Sequence, residues 1–442
     1  MKRYLPAGAT LLLFFLLSPC LSAAESTGMK SWLEKEFPRL LELYQDFHAH
    51  PELSFHEEKT SARLAAEWEQ AGYQVTTRVG GFGVVAVLKN GPGHTLLLRT
   101  ETDGLPVTEQ TGLPFASTVT ARDDGGKEVG VMHACGHDIH MTSLVGTARL
   151  LAQLTNQWHG TLVLIAQPAE ERGGGAKAML ADGLFTRFPR PDYCLALHDS
   201  ADAPAGRITY AKGYSSANAD SVDITVRGIG GHGAYPHKTK DPVLLAAQIV
   251  VALQTIVSRE TRPGEAVVVT VGTIHGGTKN NIIPDEVKLQ LTVRTYGDES
   301  RQQTLEAIKR IVRGCALTAG IPEDLLPVVK PGADYTPSLY NDPQLTERVM
   351  GVLSAQFGAA NVTTKEPGTG AEDFSRYGRT DEKIPICMFN VGAINPEIYA
   401  AAKKAGTALP SLHSSRWAPD AEPTLKTGIT ALTAAALDLL DK

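Results

Sequence analysis

Four stretches of the chain are apolar without interruption: Leu96-Leu97-Leu98, Leu162-Val163-Leu164-Ile165-Ala166, Cys194-Leu195-Ala196-Leu197, and Ile384-Pro385-Ile386-Cys387-Met388-Phe389. Strands of this kind are buried on both faces, as in parallel sheets covered by helices. The first three each run into ionisable residues: Arg99 to Asp103, Gln167-Pro168-Ala169-Glu170-Glu171, and His198-Asp199. Open α/β sheets bind ligands beyond the carboxyl ends of their strands. After one strand, an acid marks only a chain leaving the core. After three in a row, the pattern argues for convergence.

From about Ala211 the pattern changes. Val222, Ile224 and Val226 alternate with polar residues, and so do Val287, Leu289, Leu291 and Val293. Period-two strands have one wet face, as in antiparallel sheets. Asp241-Pro242 opens a helix running to about Ser258, with a cap and a proline in its first turn, and another helix spans about Ser300 to Ala319. Elsewhere, Ser31-x-x-Glu34 is a capping box before Leu33, Phe37, Leu40, Leu41 and Tyr44, a helix that Pro38 should break or restart. His48 to Ser54 reads as a turn, Glu57 to Ala71 as a helix stopped by Gly72, and Thr424 to Leu440 as a closing helix. Asp138 is placed to cap a helix carrying Leu144, Ala148, Leu150, Leu151 and Leu154. The fold class predicted is α/β. A mixed, mostly parallel sheet flanked by helices forms a discontinuous domain over residues 25–210 and 326–442, and an α+β domain over 211–325 is inserted into it.

The first residues change the picture of where the chain works. Lys2 and Arg3 precede an apolar run from Leu11 to Leu17, too short to span a bilayer comfortably, and Ser22-Ala23-Ala24 offers small residues for cleavage. Residues 1–24 therefore read as a signal peptide, and the protein is expected to be exported, periplasmic or secreted, with no membrane association after cleavage. Setting Cys20 aside leaves Cys135, Cys194, Cys315 and Cys387, scattered without a pairing pattern, and a bridge among the last three stays open. The formal net charge of −6 becomes more negative once the basic leader is removed, and no basic, aromatic-interleaved stretch suggests nucleic acid.

The densest chemistry is Met132-His133-Ala134-Cys135-Gly136-His137-Asp138-Ile139-His140. Gly136 lets the backbone turn tightly enough for Cys135 and His137 to converge. Two donors are too few for a metal, but Glu170, Glu171, His198 and the isolated His413 complete a set of thiolate, imidazole and carboxylate groups suited to zinc or a similar first-row ion. Five ligands and one spare carboxylate fit two metals and a base. Two neighbouring metals can activate a shared water and polarise a carbonyl.

These residues resemble the amidohydrolase branch of the co-catalytic metallopeptidases, which includes hippurate hydrolase, auxin-conjugate hydrolases and N-acyl-amino-acid amidohydrolases, with aminoacylase and carboxypeptidase G more distant. The resemblance covers the chain from about residue 40 onward. It rests on an ordered series of motifs: His48 to Ser54, Arg99 to Pro106, Met132 to His140, Pro168 to Ala176, His198, Gly231 to His237 with Asp241-Pro242, Asn281 to Pro284, Arg294, Gly370 to Phe374, and His413. It implies Cys135, His137, Glu171, His198 and His413 as ligands of two divalent ions, zinc or manganese, with Glu170 as general base. It implies that Asp103 orients a ligand imidazole. The insert would be a lid that also forms a homodimer. From it His232 would stabilise the oxyanion in the partner's site, and Asn281 and Arg294 would hold the substrate carboxylate. The substrate implied is a small N-acyl amino acid or a peptide-like molecule, and the reaction is hydrolysis of its amide bond. Where the family usually has Asp and Ala this chain has Glu101 and Gly104, and Asn280 stands where small residues are usual.

Other readings remain at this stage. The scaffold also suits a dipeptidase or carboxypeptidase. A Cys135 nucleophile with His137 as base would leave Glu170, Glu171, His198 and His413 idle. An exported binding protein has no need of the whole ligand set. His133 and His140 read as structural groups or as supports behind the ligands, His48 and His50 as packing or capping groups near the site, and Glu372 and Asp373 as structural or, as their motif favours, close to the metals.

Overall fold

The computed structural model describes residues 23–440, so the expected signal segment lies almost wholly outside the described residues. Its centre is an eight-stranded sheet ordered Gln74–Val79, Gly83–Asn90, Gly160–Gln167, Thr95–Glu101, Tyr193–Pro204, Ile386–Ile394, Ile208–Tyr210 and Val362–Thr364. The four middle strands, Gly160–Gln167 through Ile386–Ile394, pair in parallel. Antiparallel pairings join them to the flanks.

The unbroken apolar runs are explained by cover on both faces. Leu96, Leu98, Leu162, Leu164, Leu195 and Leu197 pack into one cluster with the helices Ala23–Ala49, Glu58–Gln70, His137–Gln153, Pro343–Phe357 and Ala421–Leu439. The alternate residues Leu97, Val163, Ile165, Cys194 and Ala196 pack on the other side with Met179, Phe185, Phe374 and Tyr377. The helix His137–Gln153 is buried almost all round, because Ala421–Leu439 and Ala23–Ala49 pack on it while it lies against the sheet.

A second, four-stranded sheet is antiparallel throughout, in the order Val267–Gly276, Glu286–Thr295, Asn218–Arg227 and Val328–Pro331. Its last strand lies beyond the boundary expected at residue 325. Helices Pro242–Thr255 and Asp298–Thr318 cover one face through Val222, Ile224, Leu289, Leu291, Ile249 and Ile308. The other face carries Ser221, Thr292 and Arg294 and roofs a cavity against the first sheet. Asp241 caps the first of these helices, accepting hydrogen bonds from the amides of Val243 and Leu244 at 2.8 and 3.3 Å.

Two local expectations are corrected, and the cysteine pairing left open is settled. Ala23–Ala49 is one helix with Pro38 inside it, so Ser31 is no cap and the predicted turn starts only after Ala49. Proline removes one helical hydrogen bond, whereas Leu33, Phe37, Leu40 and Tyr44 on the same helix are buried, and that packing carries it through. Asp138 is not the cap of its helix. The cap position is Gly136, in the left-handed region at φ 75°, and Asp138 lies inside the first turn. Cys135, Cys194, Cys315 and Cys387 are all free thiols.

Candidate metal centre and catalytic cavity

Because the central strands are parallel, their carboxyl ends meet at one edge of the sheet. Asp103 follows Thr95–Glu101, Glu170 and Glu171 follow Gly160–Gln167, and His198 lies within Tyr193–Pro204. Cys135 and His137 arrive on the loop before the His137–Gln153 helix. A Cβ at Gly136 would collide with the Asp199 carboxylate, so the turn that presents both side chains needs glycine. Ala169 and His413 also hold left-handed backbone, at φ 50° and 67°. Non-glycine residues persist there only where their surroundings fix them. Here the Ala169 amide donates to Glu57 at 2.7 Å, and the His413 amide donates to the Ala134 carbonyl at 2.7 Å.

The donor atoms converge. Cys135 Sγ lies 3.5 Å from His198 Nε2 and 3.2 Å from His413 Nε2. Glu171 Oε1 is 3.5 Å from His413 Nε2 and 3.9 Å from His137 Nε2. Cys135 belongs to two tight groups, one with His137 and His198 and one with Glu171 and His413, each with donor atoms within 4.8 Å of one another. His137 Nε2 and Glu171 Oε1 are buried yet have no hydrogen-bond partner among the described residues. Buried polar atoms are normally paired. Two that aim into one space beside a thiol and two further imidazoles fit a metal centre, and a sulfur common to two donor groups fits two ions.

Two of the imidazoles are fixed through their other ring nitrogen. His137 Nδ1 donates to the Asp103 carbonyl at 2.8 Å, and His198 Nδ1 donates to the Asp199 carbonyl at 2.7 Å, which leaves both Nε2 lone pairs facing the centre. Asp103 thus orients His137 first through its backbone, with carboxylate Oδ1 at 3.3 Å. The other carboxylate oxygen accepts from Ser54 Oγ at 2.7 Å and from the Glu171 amide at 3.1 Å. Burial works against the charge of Asp103, but these partners outweigh it and hold its pKa below the usual range.

Glu170 lines the same cavity of about 980 Å³. Burial, followed by the charges of Glu372, Glu171 and Asp373, pushes its carboxyl well above the usual range. Burial also raises the Cys135 thiol, and Glu171 and Glu170 reinforce the shift. A cysteine nucleophile needs an electropositive setting and a paired base. Cys135 has two carboxylates beside it, and its hydrogen-bond partners are His198 and His413, not His137.

A profile of the peptidase family M20/M25/M40 matches residues 97–405. The chain belongs to this family. Thermostable carboxypeptidase 1 of Saccharolobus solfataricus is 36% identical over 408 residues, which are 91% of this chain and 96% of that protein. Hippurate hydrolase of Campylobacter jejuni is 37% identical over 349 residues, 77% of this chain and 87% of that enzyme. The crystal structure of Bacillus subtilis YxeP, a dinuclear metal-binding peptidase of family M20, matches with a TM-score of 0.74 at 29% identity, covering 92% of this chain and 99% of that one.

Not every predicted site residue of this M20 chain meets at the centre. Arg294 lines the cavity from the roof. His232 lies on the small Gly231–His232 and Ile282–Ile283 pairing and Asn281 directly before its second strand; both are exposed, outside the cavity lining of their own chain.

The structure adds residues whose roles were not foreseen. Buried Arg99 donates to Glu372 Oε1 at 2.8 Å, Asp373 Oδ1 at 3.2 Å and Gln167 Oε1 at 3.1 Å, and it pairs with Glu101. His140 Nδ1 lies 3.0 Å from Glu101 Oε2, and its Nε2 accepts from the Asp199 amide at 2.8 Å. This polar floor joins the ends of three strands beneath the centre. The sequence signalled parts of it, through the run of charge in Arg99 to Asp103 and the motif that holds Glu372 and Asp373, but not that Arg99 joins them. Lys365, also on the cavity wall, gave no signal.

Proposed function

We propose that the protein hydrolyses the amide bond of N-acyl amino acids or related small conjugates, using two divalent ions, zinc or manganese. The observation that carries this reading is the Cys135 sulfur shared between the His137–His198 and Glu171–His413 donors, with Glu170 beside them in the same cavity. Bound ions supply an activated water and Lewis-acid polarisation of the scissile carbonyl.

In this reading Cys135, His137, Glu171, His198 and His413 hold the ions. Glu170 takes a proton from the attacking water and returns it to the leaving nitrogen. The water oxygen ends on the acyl carbon, the carbon–nitrogen bond breaks, and a carboxylate and an amine leave. Arg294 grips the α-carboxylate of the substrate with its guanidinium fork. The protein works after export, as the Lys2-to-Ala24 pattern suggests.

The working unit is a homodimer joined through the inserted domain. Leu244 and Val251 are 60 and 72% exposed there, and Ile274, 53% exposed, lies on Val267–Gly276, an edge strand whose outer side pairs with no described residue. An apolar face next to an open edge is a surface that a second copy would cover. Dimerisation is also what would bring the exposed His232 and Asn281 to a cavity, that of the other protomer.

The test is a hydrolysis screen of N-acyl amino acids and dipeptides with metal-depleted and metal-restored protein. Activity should vanish on chelation and return with zinc or manganese, with two ions per chain at full loading by elemental analysis. Activity that survives chelation but is lost on thiol alkylation would favour the cysteine nucleophile. Release from dipeptides but not from N-acyl amino acids would favour the dipeptidase.

A further inference from the structure

Four cationic side chains line the catalytic cavity: Arg172, Arg294, Lys365 and Arg376. Two are engaged. Arg172 pairs with Asp124 at 2.6 Å, and Arg376 pairs with Asp334 at 3.2 Å while donating to the Tyr335 carbonyl at 2.6 Å. Arg294 and Lys365 form no ion pair with any described residue. The acids of the same wall cannot serve them. Asp334 is taken by Arg376 and Lys177, Glu372 is bound by Arg99, and Glu170 and Glu171 belong to the reaction centre.

The two unpaired cations approach from different walls. Arg294 hangs from the roof. Lys365 belongs to the floor sheet, and the register says where. His198 pairs with Asn390, Asn390 with Thr209, and Thr209 with Thr363, so these four side chains share one face. Lys365 follows Thr363 by two residues, and its amide continues the ladder by donating to the Tyr210 carbonyl at 2.8 Å. Its side chain therefore rises on the face that carries His198. Three strand spacings separate the two backbones, roughly 14 Å. Lys365 is half-buried, and that burial lowers its pKa, opposed by Asp202. An ammonium held part-way out of water without a counter-ion costs free energy that an anionic ligand would recover.

Resting on the amide-hydrolase reading, we propose that Lys365 is a specificity-determining residue and that the preferred substrates carry two anionic groups, the α-carboxylate held by Arg294 and a second carboxylate held by Lys365. The class is that of dicarboxylic N-acyl amino acids, with the second charge either on the amino-acid side chain or at the far end of the acyl chain.

Two matched pairs separate these sources in the metal-loaded enzyme: N-acetylglutamate against N-acetylglutamine, and N-succinylalanine against N-butyrylalanine. The charged member of one pair should have a kcat/KM higher by about tenfold or more, the scale of one charge-assisted hydrogen bond. Lys365→Met should remove that preference by slowing the charged member alone, while Lys365→Arg should keep most of it. Equal rates within both pairs, or an equal loss on both members in Lys365→Met, would overturn the assignment. Calorimetric binding of the same four compounds to the metal-loaded Glu170→Gln protein, with and without Lys365→Met, keeps the two readings apart. Lys365-dependent discrimination in binding without hydrolysis by the parent enzyme would end the hydrolase reading and keep the anion subsite. Hydrolysis with no discrimination in either measurement would do the reverse.

Discussion

Nδ1 of His48 lies 2.6 Å from Oδ2 of Asp138, the residue that directly follows His137 of the candidate metal centre. The other nitrogen of the same ring lies 3.0 Å from Glu109 Oε1. Both contacts are buried, and the Ser117 amide pins Glu109 in turn at 2.6 Å. His48 thus straps the loop carrying Glu109 to the first turn of the helix that presents His137. Burial alone would lower the pKa of its imidazole, but the two carboxylates together raise it from 6.5 to about 10. It is an imidazolium at neutral pH.

His48→Leu should leave both carboxylates buried without their counter-charge. Breaking a buried ion pair from one side typically costs about 3–5 kcal/mol. Denaturant titration should show a loss of that size. A change of only a few tenths of a kcal/mol would mean that the strap carries no weight.

The same strap predicts a pH dependence. A group whose pKa is raised on folding stabilises fully below its unfolded pKa and loses that contribution as pH climbs through its folded pKa. The stability gap between wild type and His48→Leu should therefore be widest below about pH 6.5 and shrink toward pH 10. A gap that stays flat over that window would show that the ring is neutral when folded.

The strap also marks the limit of what the sequence could say. Unbroken apolar runs revealed the parallel strands, because burial on both faces leaves a local trace at Leu96 to Leu98 or Leu162 to Ala166. Donors at strand ends revealed where a centre would form. His48 and Asp138, however, stand 90 residues apart, and Arg99 and Glu372 stand 273 apart. No periodicity records such pairings, since the local pattern around one side chain does not name a partner so far along the chain. Pro38 misled for the opposite reason. Its local rule is sound, but the burial of Phe37, Leu40 and Tyr44 overrides it.

Glu170 and Glu171 are adjacent but should separate cleanly by mutation. Glu170→Gln keeps the shape but cannot accept a proton, so it should retain both ions and lose about 10²- to 10⁴-fold in kcat, the usual range for a general base. Glu171→Ala should lose metal, because Oε1 faces His413 and His137 across the centre. Elemental analysis beside steady-state rates tests both. Two variants that keep metal and rate alike would undo the assignment of the pair.

Asp103→Asn should weaken metal binding by about tenfold, the low end of the range for residues that orient ligands. The low end is expected because the nearer contact to His137 is the backbone carbonyl of residue 103, which the substitution leaves in place. Competition with a chromogenic chelator measures it. Unchanged affinity would place the whole orienting role in the backbone.

The last expectation concerns His232, which the single chain leaves outside its own cavity. The Ala234 amide donates to His232 Nδ1 at 3.0 Å, which makes that nitrogen the acceptor and leaves Nε2–H as a free, exposed donor. An imidazole with an outward N–H suits stabilisation of an oxyanion. If it acts across the proposed two-fold dimer, every site takes Glu170 from one protomer and His232 from the other. Glu170→Gln and His232→Ala dimers should then each be nearly inactive. Dissociating and reassociating an equal mixture should give half heterodimers, each with one intact site of two, and so about a quarter of wild-type activity. Mass spectrometry under native conditions can establish that heterodimers have formed. Heterodimers without recovered activity would mean that His232 serves its own chain or plays no part in the reaction.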